Sequence, residues 1–373
     1  MTINVNDRAG PEPGLEGLDD ALERIAAGAA GRDGAPGVGR FPDDAFMLLR
    51  DAGALRWNAL AGEVRPAAAI ELGLVRRVAR ADGSVGRLFD GHLNAVERIA
   101  VQAPAELCHR ELAAVIGGQL WAGVWGGDPV PGEGPPATVR MASGGEVLRG
   151  VKTFCSGASG LHRALVLARP APDGGPPLSV WVDLTDDRRV EIDTSWYRSR
   201  GLVASVSHRV VFHDAPVLAR LGEPGAISQQ PWFARDALRT AASWGGMADA
   251  AVDGALAAIA ERPGRGDLEG LAAGRILTAQ RTIDVWLQAG AAAMDRPGHD
   301  ADLAALALHG RAAIADACRT LLDEAARACG SRPFARGAAL DRARRDLEVF
   351  LLQHRLDPML ARAGAAALEG ARP

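Results

Sequence analysis

The chain has 373 residues, 48% hydrophobic and 24% charged, with 42 basic and 46 acidic side chains giving a net charge of −4. These proportions suit a soluble globular protein with one large core or a few smaller ones, and no basic excess points to nucleic acid or an anionic membrane. Cys108, Cys155, Cys318 and Cys329 form no Cys-x-x-Cys pair and the eight histidines are scattered, which predicts no metal site and a reduced, cytoplasmic setting.

Residues 1–17 carry Asn4, Asn6, Asp7, Gly10, Pro11, Pro13 and Gly14 and read as a disordered lead-in with no signal-peptide pattern. Residues 18–117 read as a helical domain. Leu22, Ile25 and Ala26 recur at helical spacing, as do Phe46, Leu49 and Ala52, then Ala68, Leu72, Val75, Val78 and Ala79. Ser84 is the expected N-cap of a helix through Leu88, His92, Val96 and Ile99, and Gly53 and Gly83 are expected to end helices. His92, on an apolar face, reads as a core histidine.

Residues 118–226 change texture. Pro and Gly cluster at 126–136 and 170–177, and short runs alternate in polarity, as in Leu178, Val180 and Val182. This predicts an antiparallel sheet. Residues 227–373 return to a helical, alanine-rich pattern, with helices over about 232–260, 268–293, 300–329 and 338–354. Ala241, Gly245, Ala248, Ala251 and Ala255 make a small-residue stripe suited to close helix packing. Gly330 is the expected C-cap after Cys329. No run of about 18 apolar residues offers a membrane span, and no internal repeat is visible.

Two segments carry the chemistry. Gly150-Val-Lys-Thr-Phe-Cys-Ser-Gly157 is an apolar strand with a lysine near its start and a hydroxyl at its end. Gly201-Leu-Val-Ala-Ser-Val-Ser207 is a loop of small residues feeding a second strand. With helices before and after, these parts resemble the acyl-CoA dehydrogenase superfamily, over nearly the whole chain from about residue 20. The resemblance implies an α+β fold: an N-terminal helical domain, a middle antiparallel, barrel-like β domain that contacts a flavin, and a C-terminal four-helix bundle.

It also implies roles. Phe154 would take the aromatic position beside the flavin ring and Ser156 the hydroxyl position near the flavin N5. The backbone of Cys155 would flank the ring's polar edge while its thiol joins the core. Trp125 and Gly126 occupy the place where the family carries a Gly-Ser-Asp loop, and here they could bring backbone N–H groups to the flavin or a phosphate. Ser205, with Ser207, would help hold the flavin. Arg262 would reach the cofactor's pyrophosphate in a neighbouring subunit, and Gly330 its adenosine part. Arg345-Asp346 matches the family's Arg-Asp, a candidate surface or interface ion pair.

The family's catalytic glutamate is missing. The loop that should hold it has His354, and the alternative family location holds Arg235, with Asp236 one residue on and about 100° round the helix. Glu348 is a further carboxylate in the region. The resemblance therefore implies a flavin-dependent dehydrogenase acting on an acyl thioester or a similar partly apolar molecule, with Asp236 as the base. Alternatively it implies a two-component monooxygenase using reduced flavin, with His354 and Ser156 as catalytic groups. A third reading is a non-catalytic scaffold. The cofactor would be FAD, or FMN supplied reduced. An electron-transfer flavoprotein or a flavin reductase would be the partner, and the C-terminal helices would build a tetramer or dimer.

Overall fold

The computed structural model describes residues 15–34, 39–59, 67–170, 175–263, 266–296, 298–334, 338–353 and 356–370. Five helices come first: α1 (Leu18–Arg32), α2 (Asp43–Asp51), α3 (Ala68–Ala81), α4 (Gly83–Gln102) and α5 (Ala105–Ile116). Asp82, not Ser84, caps α4, its carboxylate accepting from the Val85 N–H at 3.1 Å. Gly83 opens that helix and ends none. A Cβ on it would stand 2.7 Å from Asp346 Oδ2, so the glycine answers to a close approach. Gly53 does follow the end of α2, with φ 77°.

The strands are β1 (Ala122–Trp125), β2 (Thr138–Ala142), β3 (Gly145–Cys155), β4 (Arg163–Pro170), β5 (Leu178–Asp183), β6 (Val190–Asp193) and β7 (His208–Arg220). Pairings run β4–β2–β3–β7–β5 and back to β4, a closed ring, with β1 added to β4 and β6 to β7. The antiparallel expectation holds for most pairs, but β4 runs parallel to both β1 and β2. Closure is the reason for the β4–β2 pair, since β1 lies outside the ring. Five strands in a ring cannot alternate direction all the way round, so at least one pair must run parallel.

Four long helices then pack together: α6 (Trp232–Ala260), α7 (Asp267–Met294), α8 (Asp300–Cys329) and α9 (Ala339–Leu352). A further helix, α10 (Asp357–Gly370), which the sequence reading did not separate, buries none of its residues. The small-residue stripe works as packing. A Cβ at Gly245 would lie 3.1 Å from Ile283 and 3.2 Å from Leu287 of α7, and one at the neighbouring Gly246, outside the stripe, 2.1 Å from the Arg76 carbonyl oxygen of α3.

Antiparallel helices α4 and α6 face each other through a polar ladder. Its steps are Arg98 to Asp236 (2.5 Å), Arg239 to Asn94 (3.0 Å), Thr240 to Asp90 (3.2 Å) and Ser243 to the Gly86 carbonyl (3.2 Å). At one end six charges are sunk together. Arg235 bonds Glu71 and Glu97, each at 2.8 Å, and Arg239 bonds Glu71 and reaches Glu97 at 2.7 Å. Three guanidinium groups meet three carboxylates, so the cluster is neutral and each member is hydrogen-bonded. Truncating one partner strands the others: Arg239→Met should cost about 3–5 kcal/mol, read as a lowered urea midpoint.

Candidate functional site

β3 carries a bulge against β7 between Lys152 and Cys155. Its register shift leaves Phe154 in the left-handed region, φ 53°, with 59% of the side chain exposed. Cys155 turns inward, fully buried, and burial pushes its thiol well above the usual cysteine range. Phe154 meets Trp196 edge-on, ring centres 4.9 Å apart. An exposed phenylalanine on a strained strand end, backed by a half-buried tryptophan, is an unusual surface for a protein to leave open.

Next to it three hydroxyls form a chain. Ser207 Oγ lies 2.9 Å from both Ser156 Oγ and Ser205 Oγ. Three hydroxyls carry three donors and the two links use two; the third is within reach of the Tyr197 oxygen, or could go to a bound acceptor. The Ser205 carbonyl accepts from the Gly157 N–H at 2.8 Å, tying this loop to the end of β3. Leu202 (φ 53°) and the β-branched Val206 (φ 40°) flank the serines in left-handed backbone, so three non-glycine residues with positive φ surround one spot.

Tertiary contacts hold that strain in place. Asp346, on α9, accepts from the Leu202 N–H at 2.6 Å. It is neither a surface group nor an interface group, being 4% exposed. Burial pushes its carboxyl up to about 7, the Leu202 N–H opposes the rise, and the carboxylates of Asp82 and Asp33 add to it. Arg345 instead pairs with Asp33 (2.7 Å) and Asp341 (2.9 Å). Trp125 is 1% exposed and its Nε1 donates to the Ser156 carbonyl at 2.9 Å. It props the site from below and presents no indole face to it. The Gly126 carbonyl accepts from Lys152 Nζ (3.2 Å), which also bonds Asp128 and the Leu167 carbonyl. Lys152 is thereby fully used in joining strands.

Two further residues join this group without a motif to announce them. Tyr197 donates its hydroxyl to the Gly201 carbonyl at 3.2 Å, with the Ser205 and Ser207 hydroxyls close by. His208, 4% exposed, has an Nδ1 with no hydrogen-bond partner among the described residues, and its ring meets Tyr197 edge-on.

The remaining candidates lie elsewhere. Asp236 gives one oxygen to Arg98 (2.5 Å) and the other to Arg239 (3.3 Å). Burial pushes its carboxyl up to about 6 against the pull of both guanidinium groups. The Arg98 end of α4 stands about 16 Å along the helix axis from Arg87, the residue of α4 on whose charge Tyr197 acts. Arg262 sits just past α6, 3.9 Å from Glu269. Gly330 caps α8 with φ 67°, as expected, and Cys329 beside it touches the Ala255 carbonyl of α6. Arg262 and Gly330 thus share the far ends of α6 and α8, away from the serines of their own chain. His354 lies outside the described residues. His92 is a core histidine, spanning the Leu55 carbonyl and the Ala122 N–H. Among the described residues no group of His, Cys, Asp or Glu could hold a metal, and no helix is long and apolar enough to cross a membrane.

An exposed aromatic face, a spare hydroxyl donor at its edge and an unpartnered imidazole nitrogen together fit a flat heteroaromatic ring with hydrogen-bonding edges. No family model matches the chain, and no curated protein matches it at a significant level. Its fold is shared with several solved structures, each less than 25% identical to it. The ternary complex of TdsC from Paenibacillus sp. A11-2 with FMN and indole is 18% identical, covers 95% of this chain and 98% of its own, and has a TM-score of 0.82. KijD3 in complex with FMN and dTDP-3-amino-2,3,6-trideoxy-4-keto-3-methyl-D-glucose is 22% identical over 98% and 96%, TM-score 0.81. Butyryl-CoA dehydrogenase from Megasphaera elsdenii is 14% identical over 97% and 100%, TM-score 0.80.

The tether makes a pH-dependent prediction. A carboxyl at about 7 in the folded chain and 3.8 as its reference holds its proton longer when folded. Its stabilising contribution is present below about pH 4 and lost as pH rises towards 7. Asp346→Asn keeps an acceptor for Leu202 and does not titrate. It should be more stable than wild type at pH 8, with the advantage gone by pH 4, in urea unfolding at stepped pH.

Proposed function

We propose that the protein is a flavin-dependent oxidoreductase, and of the activities this fold hosts we favour the two-component monooxygenase. The observation that carries the choice is that the carboxylates available as a proton-abstracting base are already committed. Asp236 is held by two arginines and Glu348 by Arg344 at 2.7 Å. What the site offers instead is hydrogen-bond donors at the edge of an aromatic face.

The flavin, when bound and reduced, supplies the electrons that activate molecular oxygen. The protein's own share is placement. Phe154 and Trp196 would bear on the ring's flat face. The Ser156–Ser207–Ser205 chain would donate its spare O–H to the ring's polar edge, where preorganised donors cost no rearrangement during reaction. Tyr197 and Trp125 hold those serines still. His354, two positions past the end of α9 in sequence, would be the second hydrogen-bonding group. FMN is favoured over FAD, since the similar TdsC and KijD3 structures hold FMN. A separate reductase would deliver it reduced. An oligomer, a tetramer in the reading favoured here, would be built through the C-terminal helices; Arg262 and Gly330 would serve another subunit's cofactor only were it FAD, whose pyrophosphate and adenosine FMN lacks.

The test is flavin binding in both redox states. Reduced FMN under anaerobic conditions should bind at least tenfold more tightly than oxidised FMN, and Ser156→Ala should weaken reduced-flavin binding by about tenfold, roughly one charge-assisted hydrogen bond. Tight retention of oxidised FAD through gel filtration, with bleaching by an acyl-CoA, would overturn this in favour of the dehydrogenase. No flavin binding in either state would favour the scaffold.

A further inference from the structure

One rung along the α4–α6 ladder from the neutral cluster, the charges no longer balance. Arg87, on α4, and Arg311, on α8, are 8% and 4% exposed. Arg87 Nε and Arg311 Nε and Nη2 have no hydrogen-bond partner among the described residues. The carboxylate acting on both is Asp90. It stands 3.7 Å from Arg87 Nη1 and spends its oxygens on Asn94 (3.1 Å) and Thr240 (3.2 Å). Two buried cations therefore share one carboxylate, whereas three cations meet three carboxylates next door.

The two guanidinium groups are also oriented. Arg87 lies over the Phe350 ring at 5.4 Å and Arg311 over the Trp244 ring at 5.2 Å. Those rings meet edge-on, centres 6.1 Å apart. Stacking fixes the planar forks and leaves their N–H edges to be used. Buried donors without acceptors are rare in native proteins and mark an absent polar partner. The partner that satisfies donors and charge together is an oxyanion, which arginine forks bind bidentately. The helix that carries Arg87, α4, packs against the turn Val203–Ser205, so the place lies on the helix beside the candidate flavin face.

We infer that Arg87 and Arg311 form a buried oxyanion site, and that the substrate of this protein carries a carboxylate, sulfonate or phosphate group which docks there beside Trp244 and Phe350. The substrate assignment rests on the flavin reading above, whereas the oxyanion site stands independently of it.

Calorimetry of flavin-free protein with benzoate, benzenesulfonate and inorganic phosphate as probes tests the site. At least one probe should bind the wild type, and Arg87→Met and Arg311→Met should each weaken it at least tenfold. Arg188→Met, a change at a surface arginine 86% exposed and paired with Asp186, should leave it unchanged. Both site variants should fold, since each removes an uncompensated buried charge. Without a probe their melting temperatures should match or exceed that of wild type, and the probe should no longer raise them. Arg311→Lys keeps the charge without the fork and should bind between wild type and Arg311→Met. No probe binding to wild type, or equal binding by wild type and both methionine variants, would overturn the inference.

A second arm separates the substrate from the cofactor. If the variants bind riboflavin as wild type does and lose only the preference for FMN, the oxyanion is the flavin's own phosphate and the substrate assignment fails. Probe binding by a protein that takes no flavin would leave the oxyanion site standing and sink the flavin reading alone.

Discussion

The buried ion cluster of Glu71, Glu97, Arg98, Arg235, Asp236 and Arg239 sets the distance between α3, α4 and α6, and the site hangs from that frame. Moving such charges apart would leave them in a low-dielectric interior without partners, so the helices have little freedom to slide. From there the contacts run in one direction. Trp244 of α6 meets Phe350 of α9. Asp346, one turn back on α9, holds Leu202. The Leu202 loop carries Ser205 and Ser207, and Ser207 bonds Ser156 at the end of β3. A site on loops and strand ends thereby inherits its precision from helices.

The order of parts was legible in the sequence because it is written in local periodicity. Alternation over Leu178–Val182 and three-and-four spacing over Leu72–Val78 need no knowledge of partners. The strand from Gly150 to Gly157 and the loop from Gly201 to Ser207 could likewise be singled out, since small and hydroxyl residues in such a run have few local uses. Residues whose meaning comes from across the chain were not legible. Asp236 looks like a free carboxylate until Arg98, 138 positions away, is placed beside it. Arg87, Arg311 and Tyr197 carry no motif at all, and their burial is a tertiary fact. The cap of α4 falls two residues before the expected Ser84 because Asp82 and Ser84 are both good caps, and Asp82 is also held by Arg32, 50 positions away.

The same fold hosts enzymes that remove hydrogens from an acyl chain and enzymes that add oxygen, so architecture alone leaves the chemistry open. In this chain the difference reduces to which polar groups are spare. Carboxylates have been drawn into ion pairs, while hydroxyl and guanidinium donors are left with bonds to give. A site rich in donors and poor in free acceptors is built to stabilise negative charge, whether that charge arises on the cofactor or arrives with the substrate.

The hydrogen bond from Leu202 to Asp346 spans 144 positions of sequence, and this orders the protein's birth. On the ribosome the β-ring can close and the three serines can be made long before α9 emerges. Until it does, Leu202 lacks its bond to Asp346, and the loop is held only by its ties to the end of β3 and to Tyr197. The nascent chain therefore carries a serine loop that still lacks one of its ties. That tie and α9 arrive together.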